Sequence, residues 1–250
     1  MAHAHDLHDL DATASTLEAL DLPGRLRLVA ERYPGAVAFS TSLGQEDQVI
    51  TDAIWTHDLP IRIFTLDTGR LFEETHALID ATRERYGRSI EVFFPDAPEV
   101  EVFVRDRGHN SFRASVDDRK ACCELRKVKP LARALQGVRV WITGLRREQS
   151  ANRQGMRVLE WDEGYGLLKL NPLIDWSLDE VVAYLDEHDV PDNPLHAQGF
   201  VSIGCAPCTR AIAPGEDPRA GRWWWESSKK ECGLHRVIAP PSARGTQEHS

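Results

Sequence analysis

The chain has 250 residues, 42% hydrophobic and 28% charged, the composition of an ordinary globular protein long enough for one large domain or one domain with an appendage. Its formal net charge of −9 argues against general nucleic-acid binding, yet leaves room for a local basic site that holds an anion. No apolar run approaches the roughly 20 residues of a membrane span, and Met1-Ala2-His3-Ala4-His5-Asp6 lacks the basic stretch and apolar run of a signal peptide, so the expected address is cytoplasmic.

Residues 1–15, rich in His and Asp, read as a flexible terminus. Leu17 to Tyr33 has helical spacing, stopped by Pro34-Gly35. Strand and helix patterns then alternate: strand Ala36–Ser40, helix Asp47–Trp55, strand Ile61–Thr65, helix Leu71–Tyr86, strand Ile90–Phe94, helical spacing over Cys123–Leu135 broken by Pro130, and strand Val138–Ile142. That order predicts an α/β fold, a mostly parallel sheet with helices on both faces. After about residue 190 the chain turns loop-rich, with Pro191, Pro194, Pro207, Pro214 and Pro218 among Gly199, Gly204, Gly215 and Gly221. Such a segment needs a tie to the core other than regular structure, and a metal site at Cys205 and Cys208 would supply it.

The five cysteines are distributed tellingly. Cys122 and Cys123 are adjacent, and Cys205 and Cys208 form a C-x-x-C pair. Two tight pairs suit a four-thiolate metal or iron–sulfur site, with Zn²⁺ as an alternative to iron. Buried free cysteines or disulfides are the plain alternative, but adjacent cysteines pack poorly as a simple core pair, and in a reducing compartment clustered thiols favour metal or redox chemistry. Cys232 stands apart, flanked by Lys229, Lys230 and His235. Cations near a thiol enlarge its thiolate fraction, so Cys232 is the candidate nucleophile.

Three loops follow predicted strands at the edge where open parallel sheets bind ligands. Ser40-Thr41-Ser42-Leu43-Gly44-Gln45-Glu46-Asp47 combines hydroxyls, a glycine and a helix start, the makings of an anion pocket lined by backbone N–H groups; it lacks the spacing of a Walker A loop. Thr65-Leu66-Asp67-Thr68-Gly69-Arg70 offers a carboxylate to a ribose or base edge, or else is a turn with an Asx cap. Trp141–Ser150 places Gly144 where backbone can approach a ligand, and Arg146 and Arg147 where guanidinium groups can take phosphate or sulfate. Near the cysteines lie Arg119, Lys120, Arg126, Lys127, Arg210, Arg219 and Arg222, which would hold a multiply charged anion beside the metal site. Lys127 follows Cys123 by one helical turn on the same face.

Together, Ser40–Asp47, Leu66–Arg70, Cys122-Cys123 with Arg126-Lys127-Val128, Trp141–Ser150, Ser202–Arg210, Glu216–Glu226 and Lys230-Glu231-Cys232-Gly233-Leu234-His235 resemble the assimilatory adenylyl-sulfate reductases over about residues 20–238. These form the iron–sulfur branch of the adenylyl-sulfate/phosphoadenylyl-sulfate reductases; the sister branch keeps the terminal element but lacks both cysteine pairs. The resemblance implies a Rossmann-like adenine-nucleotide α-hydrolase fold and a [4Fe–4S] cluster on Cys122, Cys123, Cys205 and Cys208. It implies that Cys232 attacks the sulfur of adenylyl sulfate, expels AMP and leaves an S-sulfocysteine from which thioredoxin releases sulfite. It places Lys127, Arg219, Arg222 and one or both of Arg146 and Arg147 on the phosphosulfate, with His235 joining when the tail closes. An AMP moiety would then lie among Ser40, Ser42, Gly44, Asp67 and Gly144. On this reading residues 16–238 are one reductase domain, with a nucleotide-binding core to about 190 and a mobile catalytic tail, and 239–250 are a disordered end. Rival readings are a phosphoadenylyl-sulfate reductase, an ATP pyrophosphatase of the same fold (whose loop resembles S-G-G-x-D-S where this chain has Ser-Leu-Gly-Gln-Glu-Asp), an iron–sulfur electron carrier, and a zinc-stabilised nucleotide-binding module. Oligomeric state, homo-oligomer or monomer, is left open.

Overall fold

The structure, a computed structural model, describes residues 10–149 and 153–226. Six strands, β1 Val37–Thr41, β2 Arg62–Leu66, β3 Glu91–Phe93, β4 Val140–Ile142, β5 Leu159–Asp162 and β6 Leu167–Leu170, form one sheet in the order β3-β2-β1-β4-β6-β5. All neighbours run parallel except β5 against β6. The central strands are apolar because both their faces are covered. Phe39 and Ile142 pair in register and face the larger cluster, under α-helices α1 Leu10–Glu18, α2 Leu22–Arg32, α3 Gln45–Thr56 and α8 Leu178–Glu187. Ala38 and Trp141, one residue earlier on each strand, point to the opposite face and pack with Leu131 and Ala134 of α7 Lys129–Ala134. The remaining helices are α4 Glu73–Tyr86, α5 Ala97–Arg107 and α6 Val116–Cys123. The α/β class and the two covered faces match the sequence expectation.

Several boundaries differ for local reasons. The single helix expected over Leu17–Tyr33 is two, because Asp21 accepts the Gly24 N–H at 2.8 Å and Pro23 stands in the first turn of α2, both starting a new helix. Helix α1 begins at Leu10, inside the stretch read as a flexible terminus, and Ala14 and Leu17 are fully buried in the core. The helix expected from Cys123 starts earlier, at Val116, where Ser115 accepts the Asp118 N–H at 3.0 Å. It runs on through a π turn, Glu124–Val128, into α7. Pro130 lacks the N–H that an α-helix would require, and the wider turn lies just upstream of it.

Strands β1, β2 and β3 progress in one direction across the sheet, and β4 returns on the other side of β1. The switch between β1 and β4 leaves a crevice at their C-terminal ends, the usual ligand position of an open α/β sheet. No helix among the described residues is long and apolar enough to cross a membrane.

Candidate active site

The loops after β1 and β4 open onto a cleft of ≈ 850 Å³, within the range of small-molecule sites. Ser40, Ser42, Gly44, Gly144 and Arg146 line it from the sheet edge, and Lys127, Arg219 and Arg222 from the opposite side. Gly44 begins α3 without a side-chain cap, so the first N–H groups of that helix are left for solvent or ligand. The loop is tightly wound: Leu43 adopts a φ of 61°, and its N–H donates to Thr41 Oγ1 at 3.0 Å. Trp141 Nε1 donates to Ser40 Oγ at 2.7 Å, which ties the first loop to β4. Inside the loop, Asp47 Oδ2 accepts the Ser42 N–H at 2.5 Å and the Ser42 hydroxyl at 2.7 Å. Burial pushes the Asp47 carboxyl up to about 7, against the pull of the two Ser42 bonds. Gly144 fits against it closely, since a Cβ there would lie 2.0 Å from Asp47 Oδ1. The glycine expected for ligand approach therefore serves first the approach of two loops.

The two arginines of the third loop part company. Arg146 is buried, lines the cleft, and donates through Nε to Glu46 Oε1 at 2.8 Å; Gln149 Nε2 donates to the same oxygen at 2.8 Å. Arg147 is not among the cleft-lining residues, and its Nε donates to the Met156 carbonyl at 3.3 Å. Asp67 is likewise not among them. Its carboxylate accepts the Gly69 N–H at 2.7 Å and contacts His76 Nε2 at 2.9 Å, so the structure engages it in the Asx-type turn that sequence offered as the alternative.

The four described cysteines border one small cavity with Arg70, Phe112, Arg119, Arg126, Lys127, Arg222 and Trp223. Cys122 and Cys123 end α6, immediately before the π turn that carries Arg126 and Lys127. Cys205 precedes and Cys208 ends a 3₁₀ turn, Ala206–Cys208, whose Ala206 N–H donates to the Arg70 carbonyl at 2.8 Å. Thr68 Oγ1 lies 3.3 Å from Cys205 Sγ. Gly204 allows the Arg222 guanidinium against the backbone, where a Cβ would lie 2.3 Å from its NH2. Burial opposes ionisation at Cys205, but Lys127, the Thr68 hydroxyl, Arg222 and Arg126 outweigh it and hold that thiol below its usual range. Burial, and then the neighbouring thiols of Cys205, Cys123 and Cys122, push Cys208 up to about 12, and burial also raises Cys122.

The donor set fits an iron–sulfur cluster. Among the described residues no three Cys, His or carboxylate side chains converge closely enough to hold a single ion. A [4Fe–4S] cluster takes one thiolate at each iron and asks only that four thiols surround one space, as these do. Burial holds Cys122 and Cys208 above their usual range, so four thiolates here would call for positive charge beyond that of the side-chain cations, which a metal centre would supply.

Lys127 and Arg222 border both the cysteine cavity and the cleft. Cys232 and His235, with Lys229 and Lys230, lie outside the described residues. Glu226, the last described residue before them, pairs with Arg119 at 2.6 Å, both side chains buried beside the cysteines. The site thus unites eight of the residues named from sequence on one cleft and the four cysteines next to it. Phe112, Arg70 and the Glu46–Arg146 pair were not assigned from sequence: Phe112 has no motif, and an acid in a first helical turn reads as ordinary helix chemistry.

Residues 36–211 match the phosphoadenosine phosphosulfate reductase domain family. The chain is 53% identical over 231 residues to the adenosine 5′-phosphosulfate reductase of Agrobacterium fabrum (strain C58 / ATCC 33970), covering 92% of this chain and 87% of that one. It is 55% identical over 212 residues to the adenosine 5′-phosphosulfate reductase of Allochromatium vinosum, covering 83% of each. Among solved structures it superposes on the phosphoadenylyl-sulfate reductase of Candida auris in its phosphate complex, with a TM-score of 0.70 and 29% identity over 81% of this chain and 96% of that one.

Proposed function

The chain belongs to the phosphoadenosine phosphosulfate reductase domain family, and from that premise we propose that it reduces adenylyl sulfate to sulfite and AMP in sulfate assimilation. The observation that carries the reading is that Lys127 and Arg222 border both a nucleotide-sized cleft and a four-cysteine cavity. An anion held by them sits between the two. The relatives named adenosine 5′-phosphosulfate reductase, together with both cysteine pairs, favour adenylyl sulfate over its 3′-phosphorylated form.

The loops after β1 and β4 hold the AMP moiety, and Lys127, Arg219 and Arg222 face the phosphosulfate. The Cys232 thiolate attacks the sulfate sulfur. An S–S bond forms, the S–O bond to the phosphoryl group breaks, and AMP leaves with the electron pair. The cations offset the charge of nucleophile and leaving group as they approach. His235 adds a donor when its segment covers the substrate. A dithiol reductant, of which thioredoxin is the type expected, attacks Cys232 Sγ and releases sulfite; its second thiol closes the disulfide, so two electrons pass to the sulfonate sulfur. Cys122, Cys123, Cys205 and Cys208 would hold a [4Fe–4S] cluster, which when bound supplies a redox-capable, polarisable group beside the phosphosulfate. Thiols kept reduced for this chemistry fit a cytoplasmic location.

The test is a comparison of kcat/KM for the two substrates, joined to a single turnover without reductant. The preferred substrate is expected to be adenylyl sulfate, with about one AMP released per site and one SO₃ added to Cys232, as covalent catalysis requires. Preference for the 3′-phosphorylated substrate, or the added mass on another residue, would overturn it.

A further inference from the structure

The first loop carries an acid where a phosphate pocket would be expected to carry donors. Asp47 is the third residue of α3 and borders the cleft, and its Oδ2 takes both the N–H and the hydroxyl of Ser42. Those two donors are the ones that an incoming anion would seek at that end of the loop. Asp47 is also locked in place. Gly144 packs against its other oxygen, with a Cβ position only 2.0 Å away, and the residue is buried. Its neighbour Glu46 is neutralised by Arg146 at 2.8 Å, whereas no cation lies within salt-bridge distance of Asp47 among the described residues. The cleft is therefore polarised. Above the value of about 7 to which burial pushes Asp47, a carboxylate with no cation partner sits at the β1 loop, and Lys127, Arg219 and Arg222 stand across from it.

We infer that Asp47 is a specificity-determining residue, which occupies the Ser42 end of the anion pocket and excludes nucleotides that would lay a pyrophosphate or triphosphate chain in the loop. This rests on the nucleotide reading above. It accounts for the departure from the S-G-G-x-D-S loop of the ATP pyrophosphatases: set against Ser42-Leu43-Gly44-Gln45-Glu46-Asp47, the final Ser position is Asp47. A hydroxyl can donate to a phosphate oxygen; an ionised carboxylate only accepts. Fixed like charge against the wrong ligand is the usual means of rejecting it. Nucleotides with a single phosphoryl group escape the penalty, because their anionic end can turn to Lys127 and Arg222.

The experiment is calorimetric titration of the full chain with AMP, ADP and ATP at pH 8 without added magnesium, above the value of about 7 to which burial pushes Asp47. Wild type is expected to bind AMP at least about tenfold more tightly than ATP, and Asp47→Asn and Asp47→Ser, checked for folding by circular dichroism, to narrow that ratio by about tenfold. Wild type binding ATP as tightly as AMP overturns the inference whether or not the variants fold. A folded variant with an unchanged ratio also overturns it. Failure of AMP itself to bind wild type is a separate result, and overturns the nucleotide reading instead.

Discussion

At the scale of single residues, the site separates cations that look alike in sequence. Lys127 and Arg222 border both cavities, whereas Arg147 is turned to the Met156 carbonyl, away from the cleft-lining set. Lys127→Ala and Arg222→Ala are each expected to cost on the order of 2–4 kcal/mol in kcat/KM, the range for losing a preorganised charged donor. Arg147→Ala is expected to leave kcat/KM within about twofold, since it removes one long hydrogen bond to a backbone carbonyl. Steady-state kinetics on the three variants decides it, and a large loss in Arg147→Ala alone would reverse the assignment. Residue types and their spacing made the cations and the cysteines legible. They could not distinguish Arg146 from Arg147, because direction at a strand end depends on which neighbour accepts: Glu46 for one, a carbonyl for the other. Asp67 was open to two readings for a related reason. A carboxylate two residues before a glycine serves its own turn as readily as a ligand.

Among the elements, the loop-rich stretch after residue 190 is tied down by close approaches at two glycines, one to backbone and one to a side chain. A Cβ at Gly221 would lie 2.2 Å from the Arg210 carbonyl oxygen, backbone that pairs with it in the Arg210 N–H to Gly221 carbonyl bond at 3.0 Å. A Cβ at Gly204 would instead meet the Arg222 guanidinium, a side-chain end. The two glycines should therefore fail differently. Gly221→Ala is expected to lower stability by about 1–3 kcal/mol, the cost of overpacking. Gly204→Ala is expected to unfold less readily than Gly221→Ala, yet to lose more kcat/KM, because it displaces Arg222 from its carbonyl and hydroxyl contacts at Ile203 and Ser202. Thermal unfolding beside kinetics resolves the pair, and equal effects on both readouts would refute the distinction. Sequence identified this region as irregular, but could not say which glycine met backbone and which met a side chain. The elements it missed were those without a clean period. Helix α5 buries no residue, and β6 interrupts its apolar run with the buried Lys169, which pairs with Glu160 of β5.

For the molecule as a whole, the parallel core was legible because strands covered on both faces must be largely apolar, as Val37–Phe39 of β1 and the whole of β4 are. The C-terminal third was not, because its contacts gather around the cavity of the four cysteines rather than along a hydrophobic period. Cys122 and Cys123 come from helix α6, Cys205 and Cys208 from a loop held through Ala206 to the Arg70 carbonyl, and Trp223 borders the cavity, its backbone N–H donating to the Cys208 carbonyl at 3.1 Å. Five basic residues also crowd that cavity, Arg70, Arg119, Arg126, Lys127 and Arg222. In a chain of net charge −9 this concentration of cations is costly to assemble unless anionic thiolates and a ligand face it. On the proposed cluster reading, metal binding and folding of this third would be coupled. Cys205→Ser is expected to lose iron and soluble protein together, and to expose the 200–226 segment to protease while the sheet, built from the earlier elements, stays protected in any folded fraction. Iron analysis with limited proteolysis checks both halves. Full iron content in Cys205→Ser would remove that residue from the ligand set, and an iron-free protein with an unchanged proteolytic pattern would show that the segment is held by its backbone contacts alone.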